Sequence, residues 1–396
     1  MRKLASVLRR GRPLAFAVLA LIAAGGAGLI FGNSPGVSAA AKYTVFAGGG
    51  RAGISVDAFR PGVVNVNVGD TVDFTNPFEE IHTVTFLAGK KIPELIDAVP
   101  PAEPRSPPTL RIHPDASKVV KADSFDGSAW FNSGILGKGQ SFSVTFKKGG
   151  SFQLVCIVHP FMTATVNVLP EGTYVAPQAQ RDAEAATILD NVYRAGDAAA
   201  ARLRAVESKT ATGSNWTLTF PPPGNLPYAV NRFVPSRLSI GVGDTVTWDN
   251  NVEGPPHTAT FLGGTPAPAP ITPTASGDLV IPPNVAFGTP QKTYDGTGYA
   301  NSGIIAREPP LPTSYSLTFT RAGTYSYICI LHADQGMAGV IEVGGIGTSP
   351  GRVTPPSTGD AGLADGASMT PWLLAAAAVL VFGLGGIAVI KVRLDR

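Results

Sequence analysis

The amino-acid sequence predicts an all-β protein of two antiparallel β-sandwich domains joined by a helical connector, and three observations carry that expectation. The composition is 44% hydrophobic and only 15% charged, with 46 glycines and 35 prolines in 396 residues, which suits short strands and frequent turns better than helices. Apolar residues alternate at period two, as in Phe142, Val144 and Phe146 or Phe152, Leu154 and Cys156, the spacing of strands buried on one face. Four blocks then recur in one order. Phe59 to Val72, ending Val-Gly-Asp-Thr-Val, returns as Phe233 to Val246, and His82-Thr-Val-Thr-Phe-Leu87 as His257-Thr-Ala-Thr-Phe-Leu262. Asn132-Ser-Gly-Ile135 returns as Asn301-Ser-Gly-Ile304, and Ser141 through His159 as Ser314 through His332. A repeat of this kind means two copies of one unit, and at this length each copy can bury its own core.

Along the chain, Arg2, Lys3, Arg9, Arg10 and Arg12 precede an apolar run from Pro13 to Phe31 and the small residues Val37 to Ala41. That basic, apolar, small order assigns residues 1–41 to a signal peptide, with an uncleaved anchor as the alternative. The first β domain spans 42–169 and the second 212–343. Each holds a proline-rich insert, about residues 88–128 and 263–296, expected to pack as a surface loop. Between the copies, 170–211 reads as a helical linker. Ala176 to Ser208 is rich in Ala, Arg, Asp and Glu and places Ile188, Leu189, Val192 and Tyr193 on one helical face, with Gly196 as the point where the helix would break. Residues 344–370 read as a flexible stalk.

Residues 371–391 are expected to form a transmembrane helix, since Pro371 to Ile390 is an unbroken apolar stretch of 20 residues. Lys391, Arg393 and Arg396 follow, which puts the tail in the cytoplasm and both β domains outside, anchored at the cell membrane. Pro355-Pro-Ser-Thr-Gly359 resembles a sortase sorting signal, so attachment to a cell wall is the alternative to a retained anchor. A net charge of +3 gives no basis for a nucleic-acid partner.

The two cysteines and five histidines carry the chemistry. The repeat places both cysteines and four histidines at equivalent positions and leaves His113, in a polar proline-rich segment, as a surface residue. Each copy has one upstream His, then Cys, a His three residues on, and a Met beyond: His82, Cys156, His159 and Met162, then His257, Cys329, His332 and Met337. Two imidazoles, a thiolate and a weak axial thioether suit copper cycling between two oxidation states. A disulfide is the ordinary reading of two cysteines in a secreted chain, but these two occupy the same position in separate domains.

The segment Cys329 to Met337, with four residues between His and Met, resembles the copper loop of plastocyanin and pseudoazurin. Cys156 to Met162, with two, is similar to the shorter loop of amicyanin. Both belong to the cupredoxins, and the resemblance covers roughly residues 43–169 and 212–343. It implies Greek-key sandwiches, one type 1 (blue) copper in each domain, and single-electron transfer. The electrons would leave through an exposed edge of the C-terminal His. It further implies that Thr83 and Thr258 brace the ligand loops, and that the partners are redox proteins such as a cytochrome or a respiratory oxidase complex. A copper storage or sensing protein is one alternative. A multicopper oxidase or nitrite reductase is a weaker one, because His113 alone remains to bind further copper. The apolar Pro160-Phe161 beside His159 and the polar Ala333-Asp334-Gln335 beside His332 suggest different partners, and an electron passing from one site to the other.

Overall fold

The alternating segments become strands wherever their apolar residues meet a facing layer. The computed structural model describes residues 40–344 apart from 102, 104, 105, 221–226, 253 and 308–310. Of the segments expected to be a signal peptide (1–41), a stalk (344–370) and a transmembrane helix (371–391), all but residues 40, 41 and 344 lie outside the described residues. Among the described residues no helix is long and apolar enough to cross a membrane. Lys42–Arg51, Ile54–Arg60, Thr71–Thr75 and Ser141–Thr145 share one sheet, and Val63–Asn67, Thr85–Phe86, Phe131–Ser133, Gly150–Val155 and Thr163–Leu169 a second. Their inner faces close on Val45, Phe74 and Val144 from the first and Val66, Phe86 and Val166 from the second. The second half repeats this order of strands around Trp248, Phe261, Leu317, Tyr327 and Ile341.

The all-β expectation holds, but the sheets are mixed rather than antiparallel. Lys42 to Phe46 runs parallel to Thr71–Thr75, and Val63–Asn67 parallel to Thr163–Leu169. Alternation reports which face of a strand is buried and carries no information on the direction of its neighbour.

The proline-rich inserts are not surface loops. Ile96–Val99 and Thr109–Ile112 from the first join Leu279–Ile281 and Thr272–Pro273 from the second in a single four-stranded sheet, with Leu110 opposite Ile281 and Arg111 opposite Val280. This sheet caps two small cores that mix the halves. In one, Ile281, Val285 and Ile330 pack with Ile96 and Leu110; in the other, Ile112, Ala116 and Ile157 pack with Ile271 and Leu279. Prolines cut these segments into runs too short to display a period; each insert folds as its own antiparallel pair, and the two pairs join through Thr109–Ile112 and Leu279–Ile281.

The connector forms one helix, Gln178–Arg202, unbroken at Gly196. That residue lies against Ile54, where an added Cβ would come within 2.9 Å of Ile54 Cδ1, so its glycine serves close packing rather than a break. Val192 on the helix packs with Ile54, Val56, Tyr228 and Val230. Tyr228–Ala229, beyond the helix, then adds as an edge strand to the first-half sheet beside Ile54–Arg60.

Candidate metal centres

Each ligand loop is closed by its own backbone. Cys156 follows the strand Gly150–Val155, its N–H donates to the Met162 carbonyl at 2.9 Å, and the Met162 N–H donates to the His159 carbonyl at 2.8 Å. That turn brings His159 Nδ1 to 3.8 Å from Cys156 Sγ, while His82 Nδ1 stands at 3.9 Å from the same sulfur. In the second half, His257 and His332 place Nδ1 at 3.8 and 3.3 Å from Cys329 Sγ and 3.2 Å from each other. Both cysteines are free and buried. Met162 and Met337 are buried in the same cores as their cysteines. His113 belongs to neither group. It caps the short helix Pro114–Ser117, where its Nδ1 accepts the Asp115 N–H at 3.1 Å.

The donor sets fit a copper ion. At bond lengths of about 2.3 Å to a thiolate and about 2.0 Å to an imidazole, trigonal ligands stand about 3.7 Å apart, close to the spacings found here. In each group the three ligand atoms all lie within 4.8 Å of one another. The second set is drawn somewhat tighter than the first.

The residue after each upstream His holds the cysteine. The Thr83 N–H donates to Cys156 Sγ at 3.2 Å and its hydroxyl accepts the Ile157 N–H at 2.7 Å; Thr258 does the same to Cys329 and Ile330 at 3.3 and 2.8 Å. The Thr83 hydroxyl lies 3.1 Å from that of Thr85, which donates to Asn132 Oδ1 at 2.8 Å. The Asn132 amide in turn donates to the carbonyls of Asp115, Ala116 and Lys118. Thr258, Thr260 and Asn301 repeat this chain, ending on Asn284 and Val285. The recurring Asn-Ser-Gly block thus ties each insert to a ligand loop, a role its sequence alone did not declare.

The upstream histidines are packed differently. Gly48 lies against His82 with φ +78°, and a Cβ there would fall 2.0 Å from His82 Nε2. The buried Arg60 guanidinium, lowered by burial to about 10, donates to the Gly48 carbonyl from Nε and Nη2 and to the Ala185 carbonyl of the connector helix. In the second half Phe220 stacks on His257, ring centroids 4.3 Å apart and planes 19° from parallel.

Burial holds His82 and His257 well below the usual imidazole range, which keeps them in the neutral form that binds metal. For His159, burial opposes protonation but is outweighed by Asp57, Cys156 and Glu80, which raise it to about 10. His332 is also raised against the effect of burial, chiefly by Cys329 and then Glu80. Burial pushes the Cys329 thiol up, yet the His332 imidazole and the Thr258 N–H more than offset it and leave it below its ordinary value.

The expectation of an exposed C-terminal histidine edge fails in the second half. His332 is only 5% exposed, because residues of the first half cover it. Glu80 Oε1 stands 3.9 Å from His159 Nε2, and its Oε2 stands 3.8 Å from His332 Nε2. Gln335 Nε2 donates to Glu80 Oε2 at 2.6 Å, and Asn231 Nδ2 donates to Gln335 Oε1 at 2.7 Å. The sequence offered no signal for Glu80, since the position two before the upstream His in the second copy is Pro255.

A family model described as copper binding proteins, plastocyanin/azurin family, matches residues 52–169. A plastocyanin of Scenedesmus fuscus is 32% identical over 114 residues, spanning 28% of this chain and 85% of the plastocyanin. Among solved structures, a reduced amicyanin variant aligns at 22% identity and a TM-score of 0.20, over 32% of this chain and 82% of its own. A second reduced amicyanin variant aligns at 25% identity and a TM-score of 0.18, over 27% and 70%.

Proposed function

Because the chain belongs to the plastocyanin/azurin family of copper-binding proteins, we propose that it is a type 1 copper electron-transfer protein with two mononuclear centres. His82, Cys156, His159 and Met162 hold the first; His257, Cys329, His332 and Met337 hold the second. As a member of that family the protein is an electron carrier rather than an enzyme. The observation that carries the two-centre reading is the repeated convergence of two Nδ1 atoms on a buried free thiol that already accepts a backbone N–H.

Copper, when bound, supplies a one-electron couple between two oxidation states. The chain's part is to hold the ligands still. Cys156 is fixed by its bond to the Met162 carbonyl, Ile157 by the Thr83 hydroxyl, and His159 by the turn between them. A ligand cage that does not rearrange keeps the reorganisation cost of each electron low, and the water-excluding core around it serves the same end.

Partners are proposed to dock at the first centre. Phe161 is 65% exposed and its ring lies 6.0 Å from that of His159, an apolar landing beside the less deeply covered of the two C-terminal histidines. The proposed donor and acceptor are redox proteins at the outer face of the membrane, to which the apolar segment Pro371 to Ile390 would tether the chain. The test is the optical and paramagnetic-resonance spectrum of the copper-loaded protein, with Cys156→Ser and Cys329→Ser made separately. Each replacement should remove one of two thiolate-to-copper signals and leave the other, and a colourless, copper-replete protein would end this reading.

A further inference from the structure

The two ligand sets share a side chain. A metal-bound imidazole keeps its proton on the ring nitrogen that faces away from the metal, and that N–H is ordinarily held by a carboxylate or carbonyl. Here Nδ1 of His159 and of His332 turns to sulfur, and both Nε2 atoms turn to one carboxylate, Glu80, at 3.9 and 3.8 Å. The Glu80 side chain is 12% exposed, that of His159 13% and that of His332 6%, so the gap between the sets is filled by protein and largely closed to bulk solvent.

The arrangement is held from both halves. Gln335, three residues beyond His332, donates to Glu80 and accepts from Asn231, while the Gly53 N–H donates to the Gln335 carbonyl at 2.9 Å. On the first-half side, Asn76 Nδ2 donates to the Glu80 carbonyl at 2.6 Å and to that of Leu136 at 3.0 Å. The equivalent Asn250 makes the corresponding bonds to the carbonyls of Pro255 and Ile305. The loops are therefore alike and differ in what they present: a carboxylate in one copy and a proline ring in the other. One carboxylate serves two centres.

Resting on the two-centre reading above, we propose that His159, Glu80 and His332 form an internal electron conduit that couples the two centres. One electron leaves the reduced centre, which is oxidised, and reduces the other; no bond forms or breaks and no proton needs to leave. Tunnelling decays more steeply across empty space than through packed and bonded atoms, so a bridge in contact with both imidazoles sets the rate. The same carboxylate places negative charge beside both ligand sets, which favours the oxidised state of each.

The test uses the full copper-loaded chain, with the two signals assigned from the single cysteine replacements. Half an equivalent of reductant is mixed in and the signals are followed as the electron redistributes, while spectroelectrochemistry gives each potential. Glu80→Ala should slow redistribution by about tenfold or more, the size of effect usual for outer partners of metal ligands, and raise both potentials together. Glu80→Gln, which keeps the bridge and removes its charge, should raise both potentials while retaining more of the exchange. With both signals intact, an unchanged exchange rate in Glu80→Ala, or a shift confined to the first-half potential, would overturn the conduit alone. A chain with no thiolate-to-copper signal before substitution would overturn the two-centre reading and the conduit with it.

Discussion

Gly48 illustrates how finely a ligand is placed by a residue that touches no metal. Its left-handed backbone and the space taken by His82 both exclude a side chain. Gly48→Ala should therefore displace His82, altering or abolishing the first thiolate-to-copper signal while the second stays as it was. Equal damage to both signals would mean that Gly48 acts on the fold rather than on the ligand. Phe161→Asp places a charge on the proposed landing beside His159. It should slow exchange with an external redox partner and leave both spectra unchanged, and stopped-flow rates with a soluble cytochrome would check it. At this scale the convergence of His82, Cys156 and His159, and of His257, Cys329 and His332, was legible because a repeated His, Cys, His, Met order is improbable by chance. Glu80 and Gly48 were not, because their roles come from what the fold sets beside them.

Two kinds of element surround the centres and both bear on them. Each insert is clamped by an asparagine: Asn132 accepts from Thr85 and donates to three carbonyls, all from a fully buried position. Asn132→Ala orphans those groups and should lower stability by about 2–4 kcal/mol in chemical denaturation, with the first signal affected before the second. The shared four-stranded sheet joins the halves through Ile281, which sits in one core with Ile330. Ile281→Asp puts an unpaired charge there and should lose about 3 kcal/mol, with a single calorimetric transition broadening or splitting as the halves unfold separately. An unchanged trace would mean that the inserts do not join them. The strands of the repeat were readable from period-two alternation. The insert strands were not, since a run as short as Thr272–Pro273 has no period, and the hairpin it makes with Leu279–Ile281 finds its next neighbour in Thr109–Ile112, more than 150 residues earlier. The connector helix was readable from its composition, but its contact with Ile54 and its link through Arg60 to Gly48 belong to tertiary packing.

At the scale of the molecule, the segments that depart from a plain repeat are those that turn two similar halves into one device. The inserts share a sheet, the second half contributes Tyr228–Ala229 to the sheet of the first, and Gln335 reaches across to Glu80. The result is an asymmetric pair, with one histidine near the surface beside an exposed phenylalanine and the other covered. On the proposed reading, a carrier of that shape would take electrons at one end and hold a second one behind it. The most direct measurement is an anaerobic reductive titration of the copper-loaded chain, counting the electrons needed to bleach its thiolate-to-copper absorption. Two electrons per chain, one lost with each cysteine replacement, is the expected result; one electron per chain, or more than two, would contradict a carrier with two mononuclear copper centres.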